Sequence, residues 1–78
     1  MQRISILFLM NKEQIGNIIQ IRREKLALKQ EDLSEMTGLT TKTIYLIENG
    51  IGNPSLSTLK KILEVLGLEI TVDIKKVE

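Results

Sequence analysis

The chain has 78 residues, 42% of them hydrophobic and 27% charged, so it has the composition of one folded domain near the lower size limit for a self-sufficient core. It contains no Cys and no His, which removes disulfides, thiolate or imidazole metal sites and the commonest general base; with one Tyr, one Phe and no Trp the core has to be aliphatic. A net charge of +1 makes the placement of charge more informative than its sum.

The opening MQRISILFLM holds an apolar run from Ile4 to Met10. It is far short of the roughly twenty residues of a membrane span and lacks a small-residue cleavage site, so no export is expected and the expected location is cytoplasmic. Two readings stand for residues 1–10. One is an extension upstream of a start at Met10; the other is an apolar arm that packs on the domain or on a partner subunit.

A first helix is expected from Asn11 to about Leu26. Asn11 caps it, Gln14 three residues on completes a capping box, and Ile15, Ile18, Ile19 and Leu26 form the core face with Ile21 at its edge. Arg22, Arg23 and Lys25 suit the negative end of its dipole. A second helix opens at Gln30, carries Leu33 and Met36 on one face, and ends at Gly38, which takes a positive φ at little cost. Thr40 then caps a third helix that buries Ile44 and Ile47 and stops at Asn49-Gly50. Two short helices joined by a glycine turn form a helix-turn-helix, whose second helix is shaped to enter a DNA major groove.

Beyond Gly50, a turn at Ile51–Asn53 and Pro54 lead to a fourth helix capped by Ser55. Leu56, Leu59, Ile62, Leu63 and Leu66 give it a core face, and Gly67 ends it. From Leu68 to Val77 the period changes to two: Leu68, Ile70, Val72 and Ile74 alternate with Glu69, Thr71, Asp73 and Lys75, the pattern of a one-faced strand. A lone strand leaves its backbone groups unpaired. Its simplest partner is the same strand of a second subunit, which makes Leu68, Ile70, Val72 and Ile74 the dimerisation residues; the alternatives are intrachain pairing with Ile4–Leu9 or a disordered tail.

The ordered set Gln30, Leu33, Gly38, Ile44, Glu48 and Gly50, followed by Asn53-Pro54-Ser55 and Leu59, resembles the Cro/C1-type (XRE) helix-turn-helix of phage repressors and small bacterial regulators. The likeness runs from about Ile18 to Leu66. It implies a mostly α, lambda-repressor-like domain of four helices over residues 11–67, followed here by a strand over residues 68–78. Within the family, the strand-like tail most resembles the HipB-type antitoxins, which implies a homodimer and admits a kinase-like toxin as a second partner. Relatives commonly carry glycine at position 27 and Ser or Thr at position 29; Ala27 and Lys29 stand there, so this junction is expected to differ in shape.

On a wheel of 100° per residue with Ile44 and Ile47 inward, the third helix turns Thr41, Lys42, Tyr45, Leu46 and Asn49 outward. Lys42 suits the O6 and N7 acceptors of guanine, Thr41 a base or a phosphate, Tyr45 a phosphate or the sugars, and Leu46 a thymine methyl. Packing against the first helix or the dimer partner is the competing role for Tyr45 and Leu46. Gln30, which the resemblance puts against the DNA backbone or as a brace for the third helix, joins Thr43 and Asn49 as proposed phosphate contacts. The resemblance further implies a structural ion pair between Arg23 and Glu48. The expectation is a non-enzymatic, sequence-specific DNA-binding regulator without metal or cofactor, binding a palindromic operator as a homodimer; that it acts as a repressor is what the resemblance implies, since the residues do not distinguish repressor from activator. The alternatives are a toxin-binding antitoxin and an interaction module that has lost DNA binding.

Overall fold

The computed structural model describes residues 2–5 and 11–71. In chain order its elements are β1 (Gln2–Ser5), α1 (Lys12–Lys25), α2 (Gln30–Thr37), α3 (Thr41–Glu48), α4 (Leu56–Val65) and β2 (Leu68–Thr71). Each helix start is fixed locally. The Asn11 side chain accepts from the Gln14 N–H at 2.9 Å while the Gln14 side chain accepts from the Asn11 N–H at 2.8 Å. Thr40 and Ser55 cap α3 and α4 by accepting from the N–H groups of Thr43 and Thr58. These bonds satisfy donors that a helix leaves orphaned in its first turn.

The four helices share one aliphatic core, to which each contributes a side chain with no solvent exposure: Ile19, Leu33, Ile44 and Ile62. Leu59, Leu63, Leu66 and Leu68 extend it toward the sheet. Three leucine or methionine side chains expected in the core face are instead exposed. Met36 is 56% exposed because the eight-residue α2 meets its neighbours through Leu33, and the next turn runs past that contact. Leu56 is 60% exposed because it opens α4, two turns before Leu63, which shares its side of the helix and is buried. Leu26 forms the C-cap of α1, where the chain is already turning away.

Within the chain β2 has a partner: it pairs in parallel with β1, Gln2 opposite Leu68 and Ser5 opposite Thr71. This is the intrachain alternative, shifted from Ile4–Leu9 toward the N-terminus, in a sheet of two strands. Of the four residues assigned to dimerisation, Leu68 is 3% exposed within its own core and Ile70 packs against that core. Val72 and Ile74 lie outside the described residues. A parallel partner distant in sequence leaves no local signature such as a hairpin turn, which is why alternation revealed β2 but left its pairing among alternatives.

The junction at Ala27 also differs from expectation. Ala27 takes φ +58°, the left-handed geometry that glycine adopts at least cost, so a glycine-like turn forms despite the side chain. Gly16 was not singled out by the sequence, yet it sets how closely α1 approaches α3. A Cβ at this position would lie 2.2 Å from the Ile47 carbonyl oxygen and 2.8 Å from that of Glu48. At Gly50, with φ +70°, a Cβ would meet the Glu13 Cγ at 2.9 Å. The end of α3 therefore rests directly on the backbone of α1.

Candidate nucleic-acid interface

The turn between α2 and α3 is held by short-range bonds that fix the direction of α3. Gly38, at φ +76°, donates its N–H to the Ser34 carbonyl at 2.9 Å. The Thr37 hydroxyl donates to the Leu33 carbonyl at 2.7 Å and accepts from the Leu39 N–H at 3.2 Å. Ser34 donates its hydroxyl to the Leu39 carbonyl. Ser34 and Thr37 went unremarked in the sequence because small hydroxyl residues near a helix end carry little information until the turn geometry is known.

With Ile44 at 0% and Ile47 at 5% exposure, α3 is anchored along one side. Thr41, Lys42, Tyr45 and Asn49 are exposed on the other, as the wheel requires. No acidic residue occupies the first turn of α3, so the positive end of its dipole and the Lys42 ammonium act together. Thr43 is half-buried, with its hydroxyl 2.9 Å from that of Thr40. The Asn49 amide donates to the Tyr45 carbonyl at 2.8 Å, which orients its remaining polar atoms at the end of the helix.

Leu46 does not stand outward. It is half-buried in a groove of about 300 Å³ between α3 and the loop leading to α4, alongside Ile51, Pro54 and Thr58. The Ile51 N–H donates to the Leu46 carbonyl at 2.9 Å, which draws the loop against this side of α3. A thymine contact by Leu46 is weakened accordingly.

Arg23 and Glu48 form a two-pronged ion pair beneath the exposed face. Arg23 Nε donates to Glu48 Oε2 at 2.6 Å and Nη2 to Oε1 at 2.9 Å, while Nη1 donates to the Leu28 carbonyl at 2.8 Å. Both residues are buried, Arg23 at 8% and Glu48 at 5% exposure. The hydrogen bonds that Arg23 donates to Glu48 raise the guanidinium pKa above its ordinary value, against the opposing effect of burial. The bridge ties the end of α1 to the end of α3 and cancels a carboxylate that would otherwise repel phosphate.

Gln30 completes this network, its Nε2 donating to Glu48 Oε1 at 3.1 Å. One amide proton and the amide oxygen stay available at the half-buried start of α2. The backbone at that helix start is less inviting to an anion than its position implies. The Asp32 carboxylate takes the Lys29 N–H at 2.8 Å, and Glu31 adds a second negative charge to the first turn. What remains for a phosphate here is the Gln30 side chain rather than the helix terminus.

Residues 19–72 match the helix-turn-helix family HTH_3. The chain is 40% identical over 57 residues to an HTH-type transcriptional regulator of Methanothermobacter thermautotrophicus, covering 73% of this chain and 83% of that protein. It is 34% identical over 59 residues to a second HTH-type transcriptional regulatory protein of the same organism, of which it spans only 19%. Among solved structures, it superposes on the biofilm master regulator SinR in complex with DNA with a TM-score of 0.64 and 31% identity, over 69% of this chain and 87% of that one. HipB in a HipB–O4 20mer complex gives a TM-score of 0.76 and 28% identity over 91% of this chain and all of that one. HipB in a HipA–HipB–O2–O3 complex matches to the same extent. The chain belongs to the Cro/C1-type (XRE) helix-turn-helix family. By class it is a DNA-binding transcriptional regulator.

Proposed function

We propose that the protein is a homodimeric repressor that reads a palindromic operator by inserting α3 of each subunit into successive major grooves, about 34 Å apart. The observation that carries this reading is the one-sided construction of α3. Its inner residues Ile44 and Ile47 lock it to the core, its only acidic residue is neutralised by Arg23, and Thr41, Lys42 and Tyr45 are left exposed beside a positive helix end. In this role Lys42 reads a guanine edge, Thr41 contacts a base or phosphate, and Tyr45 lies along the backbone. Thr43, Asn49 and the free half of the Gln30 amide bind phosphates and set the register without reading sequence. Repression follows where the bound dimer covers a promoter.

Lys42→Ala is the direct test of this assignment. In fluorescence anisotropy it lowers affinity for the operator by about tenfold, the scale of one well-formed base contact, while leaving the melting temperature unchanged. Unchanged affinity would remove Lys42 from the interface.

A second reading adds a protein partner. It is favoured by the likeness to HipB, which is spanned over its whole length and occurs in a complex with HipA. Under it the chain is an antitoxin that binds a larger toxin as well as DNA. Stoichiometric co-purification of one larger protein from the native host, retained through gel filtration, supports it; a chain that always elutes free of other proteins counts against it.

A further inference from the structure

A surface groove of about 310 Å³ lies between α4 and β2, away from α3. Leu63 and Leu68 form its floor at 2% and 3% exposure, Ile70 forms one wall, and Leu56, 60% exposed, stands at the other end. Lys60 and Glu64, one helical turn apart, are both exposed on its rim. Among the described residues neither has an ion-pair partner. An apolar floor beneath two opposite, unengaged charges is an arrangement that a second copy of the same surface can complete.

The geometry points to this groove as the subunit interface, occupied by a second copy of the chain with the two α4 helices antiparallel about a two-fold axis. Setting Lys60 of one subunit opposite Glu64 of the other satisfies both charges twice over. The same register carries Leu56 of each subunit to the Leu68 and Ile70 end of the other groove, where its exposed side chain is covered. One offset thus meets the charge requirement and the apolar requirement together, which a parallel arrangement of the helices does not. The inference rests on the homodimer proposed above, and replaces the strand-to-strand contact with a helix-centred one.

Sedimentation equilibrium of the full chain without DNA tests it. The expected result is a wild-type dimer that Leu56→Asp weakens by about tenfold or more, with folding checked by circular dichroism. Lys60→Glu and Glu64→Lys each weaken it by about threefold, and the double reversal restores it, because only a self-complementary interface recovers in this way. A monomeric wild type, a dimer indifferent to Leu56→Asp, or charge reversals that do not rescue each other would overturn the assignment. Should Leu56→Asp fail to fold, the charge-reversal series decides alone. Since no DNA is present, failure here is distinct from failure of the DNA-binding reading. A dimer of this kind that binds no operator leaves the interface standing, and operator binding by an unaffected Leu56→Asp dimer removes the interface alone.

Discussion

Arg23 and Glu48 show what a single pair of residues contributes when both are withdrawn from water. Two N–H groups of the guanidinium reach the carboxylate, a third reaches the Leu28 carbonyl, and Gln30 donates to the same carboxylate. No buried side-chain nitrogen or oxygen among the described residues lacks a partner. Removing one member strands the other, so Arg23→Ala should destabilise the fold by about 3–5 kcal/mol in urea denaturation. Replacing both, as Arg23→Met with Glu48→Leu, should cost much less, because no uncompensated charge is left behind. Equal losses in the single and double variants would mean that packing, rather than charge, is what the pair supplies. At the exposed side of the same network, Gln30→Ala should reduce operator affinity more than stability, since Glu48 keeps both its bonds to Arg23.

At the scale of elements, the contact between α1 and the end of α3 decides whether the exposed helix is held rigidly. Alanine at position 16 gains about 1 kcal/mol in helix propensity over glycine. Its Cβ, however, meets two carbonyl oxygens of the α3 backbone, the nearer at 2.2 Å, and backbone cannot swing aside as a side chain can. Overpacking of this kind costs about 1–3 kcal/mol or more, so Gly16→Ala should be clearly destabilising by thermal melting and should also weaken DNA binding by displacing α3. The opposite sign is expected at Ala27, where φ is +58° and the side chain is exposed. Ala27→Gly relieves the left-handed strain and should stabilise by about 0.5–1 kcal/mol after the entropic cost of glycine, raising the melting temperature by about 4 °C.

Positions 16 and 27 also mark how far the sequence could be read. Helix starts at Asn11, Thr40 and Ser55, the turn at Gly38 and the inward line of Ile44 and Ile47 were legible because each depends on residues within one or two turns. The exposed arc of α3 followed from the same local geometry. Gly16 was not legible, although an isolated glycine inside a helical pattern is a signal for close approach. What presses on it comes from more than thirty positions away. Leu46 was read as outward because periodicity alone cannot see the loop at Ile51 folding against it. The pairing of β2 with β1, and the exposure of Leu56 at the start of α4, likewise depend on which distant segments meet. Local chemistry sets the elements here, and tertiary contact decides which of their faces stay open.

For the whole molecule, the net charge of +1 means that affinity for DNA must come from where charge is placed. The described residues offer Lys42 beside the positive end of α3, with the nearby carboxylate of Glu48 neutralised, while Glu31 and Asp32 crowd the start of α2. A molecule so arranged should bind random DNA poorly and owe its selectivity to the base contacts of α3. No helix among the described residues is long and apolar enough to cross a membrane, and no cluster of acidic side chains among them is arranged to hold a metal ion. The measurement that bears most directly on the account is fluorescence anisotropy with the duplex upstream of the protein's own gene, beside a scrambled duplex, at about 50 and about 200 mM salt. The account predicts binding to the native duplex at least about a thousandfold tighter than to the scrambled one. For about four neutralised phosphates it also predicts a fall in affinity on the order of a hundredfold between the two salt concentrations. Equal binding to both duplexes, or none to either at the lower salt, would contradict it.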